Sequence, residues 1–143
     1  MQIPVKVPEA LRDRLTIVCI NGKNMSACST TRSGGTLSAA TRSFGDFAIR
    51  LDTVPPTVKP INFTDGKAFS GSEIKVRVTD DLSGINTYHC YINGEWVLAE
   101  HDGKTTSLIV AAASLRKGNN EVRCVVTDVV GNRTEQVWTV KKP

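Results

Sequence analysis

The amino-acid sequence predicts an all-β fold. Val122, Cys124 and Val126 alternate with Arg123, Val125 and Thr127, the period of two that marks a half-buried strand. Thr127-Asp128-Val129-Val130-Gly131-Asn132 breaks the alternation, and residues 134–140 run extended again, rich in β-branched and aromatic side chains. A short Asp side chain bonds backbone two residues on, and Gly and Asn tolerate positive φ, so this break reads as a tight turn. Strand signals recur upstream over 58–63, 73–79, 85–92, 95–99, 107–111 and 120–128. They are separated by Asp65-Gly66, residues 80–84, Asn93-Gly94, Asp102-Gly103 and Lys117-Gly118. Asn93-Gly94 between two extended runs is a strong signal for a two-residue hairpin. Seven short strands at this spacing predict an immunoglobulin-like β-sandwich over residues 53–143.

Residues 1–52 predict a smaller β domain. Residues 3–7 form a candidate strand interrupted by Pro4, and Pro8 to Arg12 suits a single helical turn with proline at an early position. Residues 15–20 are an apolar, β-branched strand closed by Asn21-Gly22. Residues 29–36 are polar and contain Gly34-Gly35, which predicts a loop; strands over 37–41 and 47–51 flank the turn at Phe44-Gly45-Asp46. So short a segment buries little surface by itself. It is expected to dock on the downstream sandwich or, the preferred expectation, to be the second half of a domain that begins upstream of Met1. Asp52-Thr53-Val54-Pro55-Pro56 is the expected boundary, because two prolines fix an extended path and remove two backbone donors.

Thr79-Asp80 and Thr127-Asp128 end their strands in the same way, which predicts equivalent exits from neighbouring strands. The carboxylates of Asp80, Asp81 and Asp128 either cap these turns, the preferred reading, or together hold Ca²⁺, which takes six to eight oxygen ligands.

The formal charge is +4, and its excess is scattered: residues 1–52 carry seven basic and four acidic side chains, residues 53–143 eleven and ten. A nucleic-acid face needs clustered cations interleaved with aromatics, so no nucleic-acid partner is expected. No stretch approaches the ~18–20 apolar residues of a transmembrane helix, and Met1-Gln2-Ile3-Pro4 lacks the basic start and apolar run of a signal peptide.

The two histidines, His89 and His101, have no second histidine at metal-ligand spacing, and no P-loop, dinucleotide fingerprint or G-x-S-x-G elbow is present. No catalytic residue, metal ligand or cofactor is therefore assigned. Cys90 and Cys124 fall in phase with the inward positions of their strands and are a candidate disulfide; as an alternative, both are buried thiols. A bond between them would stabilise by on the order of 3–4 kcal/mol in the chain-entropy model. Cys19 and Cys28 are a weaker pair. Tyr88 and Trp138 are expected in the core, whereas Trp96, Tyr91, His101 and Asp102 are the candidate surface-binding residues.

Asp52-Thr53-Val54-Pro55-Pro56, Asp81-Leu82-Ser83-Gly84-Ile85, Tyr91-Ile92-Asn93-Gly94-Glu95-Trp96-Val97-Leu98 and Thr127-Asp128-Val129-Val130-Gly131-Asn132 occur in this order. With Ser33-Gly34-Gly35 and Phe44-Gly45-Asp46-Phe47 ahead of them, the chain resembles the C-terminal region of secreted Bacteroidetes lysostaphin-type peptidoglycan zinc peptidases. In that family an immunoglobulin-like tail follows the peptidase. The family's H-x-x-x-D and H-x-H zinc motifs are absent here, so no catalytic residue carries over. The resemblance implies a non-catalytic accessory module, exported to the periplasm or cell surface, with its signal peptide upstream. Its expected partner is an upstream domain of the same protein or another envelope protein. The alternative is a peptidoglycan- or carbohydrate-binding module that uses the exposed aromatics.

Overall fold

The computed structural model describes residues 7–143, so the candidate strand over 3–7 falls almost wholly outside the described residues. A short 3₁₀ helix, Glu9–Arg14, occupies the place of the expected helical turn. Strand β1 (Leu15–Asn21) follows, then β2 (Asn24–Ala27), β3 (Thr30–Ser33), β4 (Thr36–Ala39) and β5 (Asp46–Leu51). β1 lies between β2 and β5 in a three-stranded antiparallel sheet, and β3 and β4 form a separate hairpin.

That hairpin corrects the expected loop over 29–36. Its strands carry few apolar residues, so they give little hydrophobic signal. Gly34 and Gly35 take φ of 54° and 78°, the backbone of a two-residue hairpin turn. The hairpin is fastened to β1 by polar contacts: Thr30 Oγ1 accepts from Ile17 N at 3.0 Å and meets Thr16 Oγ1 at 3.2 Å, and Arg32 donates to Leu15 O.

The second group of strands is β6 (Thr57–Pro60), β7 (Glu73–Thr79), β8 (Ile85–Ile92), β9 (Glu95–Val97), β10 (Ala99–Asp102), β11 (Ser107–Ala111), β12 (Gly118–Asp128) and β13 (Arg133–Lys142). They make two four-stranded antiparallel sheets, in the orders β10-β11-β7-β6 and β13-β12-β8-β9. The protein is all-β, with an immunoglobulin-like sandwich formed by these two sheets. The expected single strand over 95–99 is divided at Leu98, and β9 and β10 belong to opposite sheets. The Thr-Asp exits are also corrected: β7 and β12 lie in facing sheets and are not neighbours within one.

Alternation places Ile74, Val76, Val78, Leu108 and Val110 of one sheet against Cys90, Ile92, Val122, Cys124, Val126, Trp138 and Val140 of the other. Each buried aliphatic side chain contributes roughly 1.5–3 kcal/mol of transfer free energy. Trp138 meets Phe63 edge to face, centroids 5.4 Å apart, and Tyr88 is half-buried against the same core. Asn93 and Gly94 take φ of 52° and 82°, as the hairpin between β8 and β9 requires.

The outer edge of β13 is not bare. Residues 65–69 run along it, with Gly66 N bonded to Thr139 O, Phe69 N to Lys141 O, and Lys141 N to Lys67 O. Asp65 Oδ1 accepts from Thr139 N at 2.7 Å. These bonds cover the C-terminal part of that edge, around Thr139 and Lys141, against pairing with other chains.

Candidate functional site

Three turns converge where the first strand group meets the sandwich. The linker enters through Asp52, the β7–β8 loop contributes residues 80–84, and the β12–β13 turn contributes residues 129–132. Asp128 is fully buried at the head of that turn. Its Oδ1 accepts from Val130 N at 3.0 Å and Asn132 N at 2.8 Å, and its Oδ2 from Asn132 Nδ2 at 2.7 Å. Asp80 caps its own loop in the same style, Oδ2 accepting from Leu82 N at 3.2 Å and Gly84 N at 2.7 Å. The expectation that these aspartates order their turns describes this geometry.

Asp52, also buried, joins them. Its Oδ1 accepts from Val54 N at 3.2 Å and its Oδ2 from Ser83 N at 3.0 Å, so the linker is held to a loop 31 positions away. Asn132 spans the same gap from the other sheet: Nδ2 reaches Asp52 O at 3.1 Å while Oδ1 accepts from Arg14 Nη1 at 2.5 Å. Arg14 Nη1 also donates to Val130 O, Asp52 N to Arg14 O, and Thr134 Oγ1 to Pro56 O. Residues 14 and 52, at the two ends of the first strand group, are thus fastened to the β12–β13 turn.

One carboxylate oxygen from each of Asp52, Asp80 and Asp128 lies within 4.8 Å of the others, so these three side chains are placed to share a cation. Burial pushes the Asp80 carboxyl above its ordinary value. The Gly84 and Leu82 N–H groups pull it back, and the charges of Asp52 and Asp128 raise it further. From sequence, Asp81 grouped with Asp80 and Asp128. Asp81 is exposed and outside the group, and Asp52 stands in its place. Asp52 was missed because a polar residue ahead of two prolines reads as linker. Its only sequence signal was its place in the Asp52-Thr53-Val54-Pro55-Pro56 motif.

The candidate surface residues fall into two groups. Trp96 pairs with Tyr91, Tyr91 with Arg123, and Arg123 with Val137, so these four form one row across the outer face of the β13-β12-β8-β9 sheet. Trp96 is 59% exposed and Val137 50%. The Arg123 guanidinium sits 4.4 Å over the Tyr91 ring and lies 3.4 Å from Glu135. His101 and Asp102 belong to the other sheet. The His101 ring tilts against Tyr88 at 5.7 Å, and Asp102 accepts from Thr105 Oγ1 and Lys104 N, which hold its carboxyl below its ordinary value.

Cys90 and Cys124 are directly opposed on β8 and β12, buried, with Sγ atoms 3.0 Å apart, and both are free thiols. The contact with Cys90 and then burial push the Cys124 thiol up, while the same contact lowers the Cys90 thiol. A shallow pocket of about 500 Å³ lies at the opposite end of the sandwich from the carboxylates, lined by Phe69, Ala112, Leu115 and Lys142 among others. No helix of the described residues is long and apolar enough to cross a membrane.

No family model matches the chain, and no curated protein matches it. Among solved structures it is similar to CopC from Methylosinus trichosporium OB3b, with 18% identity over 60% of this chain and 95% of that one and a TM-score of 0.45. A likeness at this level carries no argument about what the chain binds or does.

Proposed function

We propose that the chain is a non-catalytic accessory module of an exported cell-envelope protein, a spacer that positions or docks on a neighbouring domain such as a peptidoglycan peptidase. The observation that carries this reading is the fastening of Arg14 and Asp52 to Asn132 and Ser83. A spacer must hold its two ends in a fixed relation, and an unfastened proline linker would fix only its own path. Here the linker's polar groups are spent on both sheets of the sandwich.

Small-angle X-ray scattering tests it. The wild-type chain is expected to fit one rigid shape. Arg14→Ala combined with Asn132→Ala is expected to raise the radius of gyration and to require an ensemble of orientations. A wild-type profile that itself requires such an ensemble removes the spacer reading.

The row from Trp96 to Val137 favours a second reading, a peptidoglycan- or carbohydrate-binding module. An exposed indole beside a guanidinium-capped phenol offers both a flat face and donors for sugar hydroxyls. On this reading the chain pellets with insoluble peptidoglycan sacculi at moderate salt. Trp96→Ala then lowers the bound fraction at least tenfold while the melting temperature stays within about 2 °C, since an exposed side chain adds little to stability. Pelleting that salt abolishes, or that Trp96→Ala leaves intact, excludes it.

A further inference from the structure

The junction concentrates negative charge without a matching cation. Asp52 and Asp128 are buried, Asp80 is partly so, and no Lys or Arg among the described residues forms an ion pair with any of them. Arg14, the nearest cation in the bonding network, is directed to the Asn132 side-chain oxygen and the Val130 carbonyl. Like charges drawn together in a low dielectric are unfavourable unless something neutralises them.

Two buried oxygens in the same place lack any partner: Asp80 Oδ1 and Ser83 Oγ. Asp80 Oδ2 takes both N–H groups of its loop, so Oδ1 is left to the cluster. Ser83 is only 8% exposed, and its own N–H donates to Asp52 Oδ2 at 3.0 Å. The unpartnered hydroxyl therefore belongs to a residue of the Asp80 loop whose backbone is already bonded to Asp52. Buried polar atoms are nearly always paired, and an orphan among oxygens calls for an ion or a water.

We propose that Asp52, Asp80, Asp128 and Ser83 form a Ca²⁺ site at the junction, each carboxylate giving one oxygen and the serine hydroxyl a fourth. Ca²⁺–oxygen bonds of about 2.3–2.6 Å allow two ligands of one ion to stand up to about 5 Å apart, and the three carboxylate oxygens lie within 4.8 Å of one another. Mg²⁺ demands a tighter, near-octahedral shell at about 2.0–2.1 Å and gives up its waters reluctantly. The remaining positions on Ca²⁺ are filled by water. The ion joins the linker, the β7–β8 loop and the β12 terminus, so it ties one chain entry to both sheets. This deepens the spacer reading, on which its role in stiffening rests, but binding of the ion is measured independently of stiffness.

The test is calorimetric titration of the chelator-stripped chain with CaCl₂ and, separately, MgCl₂, with thermal unfolding in Ca²⁺ and in EDTA. The expected result is one Ca²⁺ per chain with a dissociation constant of roughly 10⁻⁵–10⁻³ M. At 10 mM Ca²⁺ the melting temperature rises by on the order of 5 °C. Asp80→Asn keeps an acceptor for the Leu82 and Gly84 N–H groups and removes one charge. It is expected to match or exceed the wild type in EDTA yet lose the Ca²⁺ heat and the Ca²⁺-induced rise. Ser83→Ala, a smaller change, is expected to weaken binding several-fold. Absence of heat and of any melting shift in the wild type at 10 mM Ca²⁺ overturns the site, as does undiminished binding by both variants. Ca²⁺ binding with no effect on the scattering profile keeps the site and removes its stiffening role. A rigid chain that binds no Ca²⁺ removes the site and leaves the spacer reading standing.

Discussion

Asp128→Ala is expected to lower the unfolding free energy by about 3–4 kcal/mol in EDTA, where no ion contributes. The carboxylate is fully buried and receives three donors: the backbone N–H groups of Val130 and Asn132 and the Asn132 side-chain amide. Alanine leaves all three without acceptors, and each unsatisfied buried group costs roughly 1–3 kcal/mol. The losses are not additive, because the β12–β13 turn relaxes and water reaches part of it. Urea denaturation followed by tryptophan fluorescence reads the effect as a lower midpoint at unchanged slope. A loss below about 1 kcal/mol would mean that the turn does not depend on this side chain. The contrast with Asp80→Asn is informative. There the backbone acceptor survives and only charge is removed, so the two aspartates separate hydrogen-bonding from electrostatic roles.

Asn120→Ala is expected to cost about 3 kcal/mol, a melting temperature lower by roughly 10 °C. Its side chain is 1% exposed and fully engaged. Oδ1 accepts from Arg116 N at 2.8 Å and Asn93 Nδ2 at 3.0 Å. Nδ2 donates to Arg116 O at 2.7 Å, Gly118 O at 3.0 Å and Val140 O at 3.3 Å. One amide therefore holds the loop that leads into β12, the β8–β9 hairpin and the end of β13. Thermal melts check the expectation. A shift of less than about 3 °C would show that the neighbouring backbone groups find water instead. Asn120→Asp keeps the acceptors and loses the three donations, so it is expected to fall with alanine and not with the wild type.

The strands were legible where burial alternates. Residues 73–79, 85–92 and 107–111 were read at their observed limits: inward Ile74, Val76 and Val78 alternate with polar residues, and 107–111 is a short apolar run bounded by turn signals. Trp138 was placed in the core because large aromatics dominate sandwich interiors, and Asn93-Gly94 gave its turn because few sequences satisfy two successive positive φ angles. β2 and β3 were illegible, and β4 was read only as a strand over 37–41 without its hairpin partner. These strands are four residues long, largely polar, and held by Thr and Arg side chains instead of an apolar face. Sheet membership was also hidden: Thr79-Asp80 and Thr127-Asp128 look alike locally, and only tertiary closure sets them on facing sheets. The junction was half legible. Asp80 and Asp128 lie in recognisable turns, whereas Asp52 acquires its role from Ser83 and Asn132, 31 and 80 positions away.

The fastening at Asp52 also has a mechanical meaning. β6 pairs with β7 through only four residue pairs, starting at Thr57, so tension applied along the linker to a bare β6 would peel those pairs off one by one. Because Asp52 is bound to Ser83, while Asn132 and Thr134 hold the linker carbonyls, the same pull is first distributed over the β7–β8 loop and β13. Several bonds must then yield together before the first strand of the sandwich feels the load, which makes the junction a strain relief for the sheet behind it.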